Sequence, residues 1–250
     1  MEVHHPHHPT HKKEWKEYLI EFIMLFTAVT LGFFAENFRE QVVESHKEKE
    51  YMHTMAADLK EDLDRINNTI TITSIKTKAM DSLVRNIHNR PYTDSSMRIL
   101  YYLYRRYMGS ATDVAFSRRT INQLINSGNL RLIKNMAVSD SIVLYDINTE
   151  RILRQYSVYH DQYQQKAREI SNKLFDSYYL IDYDRQTVGA LLRSKVKLQF
   201  LNNDDKLLRE YANIIYSGKS VLTVYITILE RHKILANNIL KQLENEYSIK

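Results

Sequence analysis

Trp15–Phe38 reads WKEYLIEFIMLFTAVTLGFFAENF, and its inner part, Phe22 to Ala35, is fourteen residues without a charge. As a helix rising about 1.5 Å per residue, the stretch covers roughly 36 Å, enough to cross a hydrocarbon core about 30 Å thick. Leu19, Ile20, Phe22, Ile23, Leu25, Phe26, Val29, Leu31, Phe33 and Phe34 each favour insertion by about 0.3 to 0.6 kcal/mol, roughly 3 to 6 together. Glu21 opposes this near one end, where a charge costs less than the about 2.5 to 3.5 kcal/mol of mid-bilayer. Trp15 and Tyr18 stand where an interfacial aromatic belt would lie. A signal peptide cut after Ala35 would want small residues where Phe33 and Phe34 stand, and a core helix would explain only the inner fourteen. A membrane anchor over 15–38 is the expectation.

Lys12, Lys13 and Lys16 precede the anchor, and Arg39, Lys47 and Lys49 follow it. The counts tie, but the first cluster lies closer to the membrane edge. The N-terminus is therefore expected in the cytoplasm and the C-terminal domain in the periplasm, with the chain in a bacterial inner membrane as a single-pass protein. Ala28 and Gly32 are four apart on one helical face, the small-x-x-x-small spacing that lets two membrane helices approach. They are the candidate helix–helix contact of a homodimer, against a monomer in which nothing faces them.

Beyond the anchor the chain is polar and helical in pattern. Five glycines and three prolines in 250 residues leave few breakers, which points to long helices, and the lack of cysteine excludes disulfides and thiolate metal sites. Two heptad registers begin at once. Ala56, Leu63, Ile70, Thr77 and Val84 occupy one, and Met52, Leu59, Ile66, Thr73, Met80 and Ile87 the other. This a/d seam makes 52–87 coiled-coil-like, weakening at Thr73 and Thr77, with Pro91 closing it. Whether the seam faces a second copy or later helices of the same chain stays open.

Asp94, Ser95 or Ser96 can cap a helix ending at Gly109, and Ser117 one that stops at Gly128. A long stripe then runs from about Ser139 to Leu174, followed by a loop at Asp182–Asp184 and a shorter helix over Val188–Phe200. A last helix opens at Asp204 or Asp205, with a break at Ser217-Gly218. The expected fold is all-α: a disordered His/Pro-rich tail over 1–14, a transmembrane helix over 15–38, and a helical domain over 39–250. The anchor continues into the heptad helix, and the long helices form an elongated antiparallel bundle.

Lys13 to Phe22 (KEWKEYLIEF), then Met24-Leu25-Phe26, Ala28-Val29 and Leu31–Glu40, and Ile121–Asn135 (INQLINSGNLRLIKN) followed by Ser141-Ile142 and Tyr145, resemble segments of a family of uncharacterised single-span membrane proteins common in Bacteroidota. Members often open on a His/Pro-rich tail like His4-His5-Pro6-His7-His8. The quoted segments cover about a sixth of the chain. It implies an anchor and a helical domain, and no activity or catalytic residue.

Candidate sites are few. His4, His5, His7, His8 and His11 offer imidazole donors for a metal, without a second shell to fix them. Glu50-x-x-His53 is half of a di-iron motif with no second copy. No nucleophile elbow, zinc-protease motif or glycine-rich phosphate loop occurs, so no enzyme and no cofactor is expected. Between Arg85 and Lys134, nine basic residues meet two acids. Within that segment Arg105, Arg106, Arg118, Arg119, Arg131 and Lys134 are the candidate anion contacts, since arginine and lysine are the side chains that meet phosphate and carboxylate. Beside the aromatic-arginine run Tyr101–Tyr107, the stripe Leu100, Leu103, Tyr104 and Tyr107 reads as core, so nucleic acid is not the expected partner. The leading reading is a membrane-anchored, non-catalytic interaction or scaffold protein whose partners are the bilayer, a second copy and an unidentified protein. The runner-up is a sensor-like bundle that binds a small anion or polyanion through segment 85–134. Converging charges around a cavity would favour the runner-up, and an unbroken apolar core the scaffold.

Overall fold

The computed structural model describes residues 14–249, so the histidine cluster His4–His11 lies outside the described residues. The described residues form six α-helices: α1 Trp15–His88, α2 Asp94–Leu103, α3 Arg119–Asn126, α4 Met136–Tyr159, α5 Gln165–Leu174 and α6 Asp205–Tyr247. Among the described residues there is no strand, only one antiparallel bridge between Phe175 and Phe200. The all-α expectation holds.

The chain divides into two compact units, Met1–Glu50 and Tyr51–Lys250. In the first, the start of α1 turns its apolar side chains outward: Phe22, Leu25, Val29, Leu31 and Phe33 are all exposed. Thr30 returns its hydroxyl to the Phe26 carbonyl at 2.7 Å, so its polar atom is satisfied within the helix. Ala28 and Gly32 are exposed on this segment. Two helices, α1 and α6, are long and apolar enough to cross a membrane. They differ in what covers them, because Leu222, Tyr225, Leu229 and Ala236 of α6 are buried among other helices whereas the apolar window of α1 is not.

In the second unit two apolar clusters form the core. One joins Ile66–Ile87 of α1 to α2, to the end of α4, to α5 and to Leu208–Leu229 of α6. The other joins Met52–Leu59 of α1 to α3, to the start of α4 and to Ala236–Leu243 of α6. The inner heptad register, Met52, Leu59, Ile66, Thr73, Met80 and Ile87, is buried throughout. The same chain covers the seam.

Contacts give the helix directions. Asp62 and Lys76 of α1 meet Tyr145 and Tyr159 of α4, so the two helices step forward together. Thr149 meets His232 and Tyr156 meets Tyr225, so α6 runs the other way. Among the three long helices, α1 and α4 therefore run parallel and α6 runs antiparallel to both, a mixed arrangement where the sequence pointed to an antiparallel bundle. The physical reason is the connection from His88 to Met136: α2 and α3 carry the chain back along the unit, so α4 starts beside the start of α1's core segment.

Local chemistry sets the boundaries. Thr93, not Asp94, caps α2, through a box in which Thr93 and Ser96 side chains each accept the other's backbone N–H. Gly128 sits at φ 68°, the left-handed conformation that stops α3. Asn135 caps α4 and Asp204 caps α6. The expected helix over 188–200 is a 3₁₀ turn, Thr187–Arg193, followed by irregular chain up to the Phe200 bridge. α6 passes Ser217-Gly218 without a break.

Two π-helical turns interrupt this regularity, Tyr104–Met108 after α2 and His160–Gln164 between α4 and α5. A π-turn accommodates one residue too many within an α-helix and redirects the side chains around it.

Candidate anion-binding pocket

Both π-turns open onto the same cavity of about 420 Å³, within the size range of small-molecule sites. Tyr104, Arg105 and Met108 come from the first π-turn and Gln164 from the second. Ala167, Arg168, Ser171 and Asn172 come from α5, Ser177 and Leu180 from the following 3₁₀ turn, Arg185 from the next loop, and Tyr211 from α6. Three arginines line the pocket and no carboxylate does.

Each arginine is placed by its local structure. Arg105 donates Nε to the Tyr183 carbonyl at 3.0 Å, which ties the first π-turn to the loop, and its charge also acts on Asp184 of that loop. Arg106 donates to the Arg185 carbonyl at 3.1 Å, so it holds the loop's backbone. Asp184 locks the loop further by accepting from the Gln186 and Thr187 N–H groups, each at 2.7 Å. Those bonds hold its carboxyl below the usual carboxylate range. Arg168 lies one helical turn beyond Gln164 and is exposed at the mouth. None of Arg105, Arg168 and Arg185 forms a salt bridge among the described residues.

Several buried polar atoms here lack a protein partner: Nε of Arg185, the Tyr211 hydroxyl and Oε1 of Gln164. Tyr211 is fully buried and Gln164 is 6% exposed. Burial raises the Tyr211 phenol, with the Tyr104 and Tyr159 phenols adding to it, so it stays a neutral donor. A buried donor without an acceptor costs about 1 to 3 kcal/mol, which an anion accepting from it would recover. The apolar part of the wall, Met108, Ala167, Leu180 and the Tyr104 ring, is suited to a short carbon body. The Tyr104 ring is held flat against Phe175, centroids 4.2 Å apart.

Of the six anion contacts expected from sequence, the structure brings only Arg105 into this pocket. Arg118 bonds to Asp146 at 2.8 Å and to Glu150. Arg119 pairs with Asp58 at 2.7 Å. That same Asp58 accepts from the Thr120 N–H and hydroxyl, while Asp62 accepts from the Ser117 N–H and the Tyr145 hydroxyl. The start of α3 is therefore capped by two carboxylates of α1, in place of the Ser117 cap expected from sequence. Arg131 and Lys134 are exposed beyond Gly128 and do not line the pocket.

Sequence reasoning missed Gln164, Arg168, Arg185 and Tyr211. They lie 59 to 106 residues beyond Arg105, and no linear motif joins them. It also missed Lys76 of α1, which is 1% exposed. Its signal was the weakening of the heptad seam at Thr73 and Thr77, the two seam positions that flank it. Among the described residues no group of three or more histidines, aspartates and glutamates is placed to hold a metal ion. Comparison with protein-family models, curated proteins and solved structures returned no match for this chain.

Proposed function

We propose that this protein is a membrane-anchored helical domain that binds a small anionic ligand between its two π-turns, a sensor-like rather than catalytic role. One observation carries the reading: Arg105, Arg168 and Arg185 converge on one cavity with unpartnered buried donors, Arg185 Nε and the Tyr211 hydroxyl, and no carboxylate in its lining. Guanidinium groups free of salt bridges are the usual recognition elements for carboxylate and phosphate. The uncovered apolar window at the start of α1 supports a bilayer anchor over 15–38. With the basic counts on the two sides equal, the closer clustering of Lys12, Lys13 and Lys16 at the membrane edge supports placing the domain in the periplasm of a bacterial inner membrane, as a single-pass protein. The resemblance to the Bacteroidota family fits this placement. The scaffold reading draws support from the apolar filling of the two cores, but it gives the three arginines no task.

The test is thermal unfolding of the full chain in detergent micelles, titrated with phosphate, sulfate and succinate against chloride at equal ionic strength. A ligand at one hundred times its Kd stabilises by about 2.7 kcal/mol. At least one anion is expected to raise the midpoint in the parent and not in Arg105→Gln or Arg185→Gln. Equal shifts in parent and variants would mean a general salt effect and would remove the proposal.

A further inference from the structure

A fourth cation stands behind the wall of this pocket. Lys76 Nζ donates to the Ser110 carbonyl at 2.6 Å, one residue past Gly109 of the lining, and lies 5.0 Å from the Tyr159 ring centroid. Tyr159 borders a narrow cleft that shares Met108, Gln164 and Ala167 with the pocket. The titratable and charged groups around the amine come from four directions. α4 supplies Tyr159, with Tyr156 against it, the loop supplies Arg185, and Tyr211 of α6 acts on Tyr159. On α1 itself, Asp81 is held by Lys219 of α6 at 2.6 Å. Asp113 of the connector acts on Tyr156 and Tyr225 instead. No carboxylate forms a salt bridge with Lys76 among the described residues.

A buried ammonium without a counter-ion is unfavourable. Burial pushes the Lys76 amine down to about 7, and Arg185 adds repulsion. Negative charge in the pocket beyond what the arginines neutralise would relieve both effects. We infer that the ligand of this pocket is a small organic dianion, with Lys76 as the buried counter-charge for its second negative group. This rests on the anion-binding reading and adds the ligand's charge and a positioning residue that acts through the wall. It carries a proton linkage. A bound dianion raises the proton affinity of the amine, so binding takes up a proton above neutral pH and weakens as pH climbs through the bound-state value.

Isothermal titration of the full chain in micelles near pH 8 tests this, with succinate and phenyl phosphate as dianions and butyrate as the monoanion. The dianions are expected to bind about tenfold more tightly, the size of one well-placed charged contact. Their apparent enthalpies should differ between Tris and triethanolamine buffers in the sense of proton uptake. Lys76→Met should remove the dianion preference and the uptake while keeping butyrate binding, and Arg185→Gln should weaken all three. Arg185-dependent binding without dianion preference or proton uptake in the parent would overturn the dianion inference and leave the pocket assignment standing. Failure of every probe to bind, or binding indifferent to Arg185, would overturn both. The parent's preference and proton uptake decide the matter even if Lys76→Met fails to fold.

Discussion

His232 shows how much one side chain can fix. It sits in α6 with its ring stacked on Tyr145, centroids 4.1 Å apart, and Phe116 edge-on at 5.3 Å. Its Nε2 lies 3.1 Å from Thr149 Oγ1, whose own hydrogen goes to the Tyr145 carbonyl at 3.0 Å. The hydroxyl can then only accept from the ring, so the proton belongs on Nε2 and Nδ1 is left bare, matching its lack of a partner. Burial pushes this imidazole down to about 4. Between the unfolded value of about 6.5 and the folded value the unfolded chain binds a proton that the folded chain refuses. Stability supplied by neutral His232 is thus complete above about 6.5 and is lost as pH falls toward 4, by roughly 3 kcal/mol in all. His232→Gln retains a donor and cannot titrate. Urea unfolding from pH 7 to 5 should show a shallower loss of stability in that variant than in the parent. Identical slopes would mean the ring is not buried neutral.

At the scale of elements, Gly218 marks where α6 and the α4–α5 helix meet. A methyl group there would lie 3.1 Å from Tyr163 Cβ and 3.3 Å from the Tyr159 ring. Alanine would normally gain about 1 kcal/mol over glycine inside a helix. Here the facing Cβ cannot yield without moving its own helix, so Gly218→Ala should destabilise by about 1 to 2 kcal/mol. A raised thermal midpoint would show that the helices stand further apart. The sequence marked this Ser217-Gly218 pair as a break, because a glycine read without its neighbours signals flexibility, whereas its place is a close helix contact. The heptad pattern over 52–87 was legible because burial repeats along a single helix. The caps at Thr93 and Asn135 sat within a residue or two of turn-forming side chains but could not be fixed without the backbone. The π-turns were not legible at all: Tyr101–Met108 and Tyr156–Leu174 carry ordinary helical stripes, and an extra residue in a turn leaves no compositional trace. The pocket was half legible. Arg105 stood out by the basic segment around it, while Arg118 and Arg119, equally prominent in sequence, are taken up by Asp146, Glu150 and Asp58. Charge in sequence does not tell which carboxylates the fold will bring.

At the scale of the whole molecule, two surfaces among the described residues carry the account: the apolar start of α1 and the guanidinium-lined pocket. The first predicts that the intact chain stays with membranes through alkaline carbonate washing, and that a chain lacking Trp15–Phe38 is released. Recovery of the intact chain in the wash would count against the anchor. The second is the central claim, that the two π-turns build an anion site out of Arg105, Arg168 and Arg185. Diffraction from crystals of the full chain grown with selenate, at the selenium edge, tests it most directly. An anomalous peak among those three guanidinium groups, absent in Arg185→Gln crystals, is the predicted result. Selenate found only at other surface arginines, with no peak inside the pocket, would contradict it.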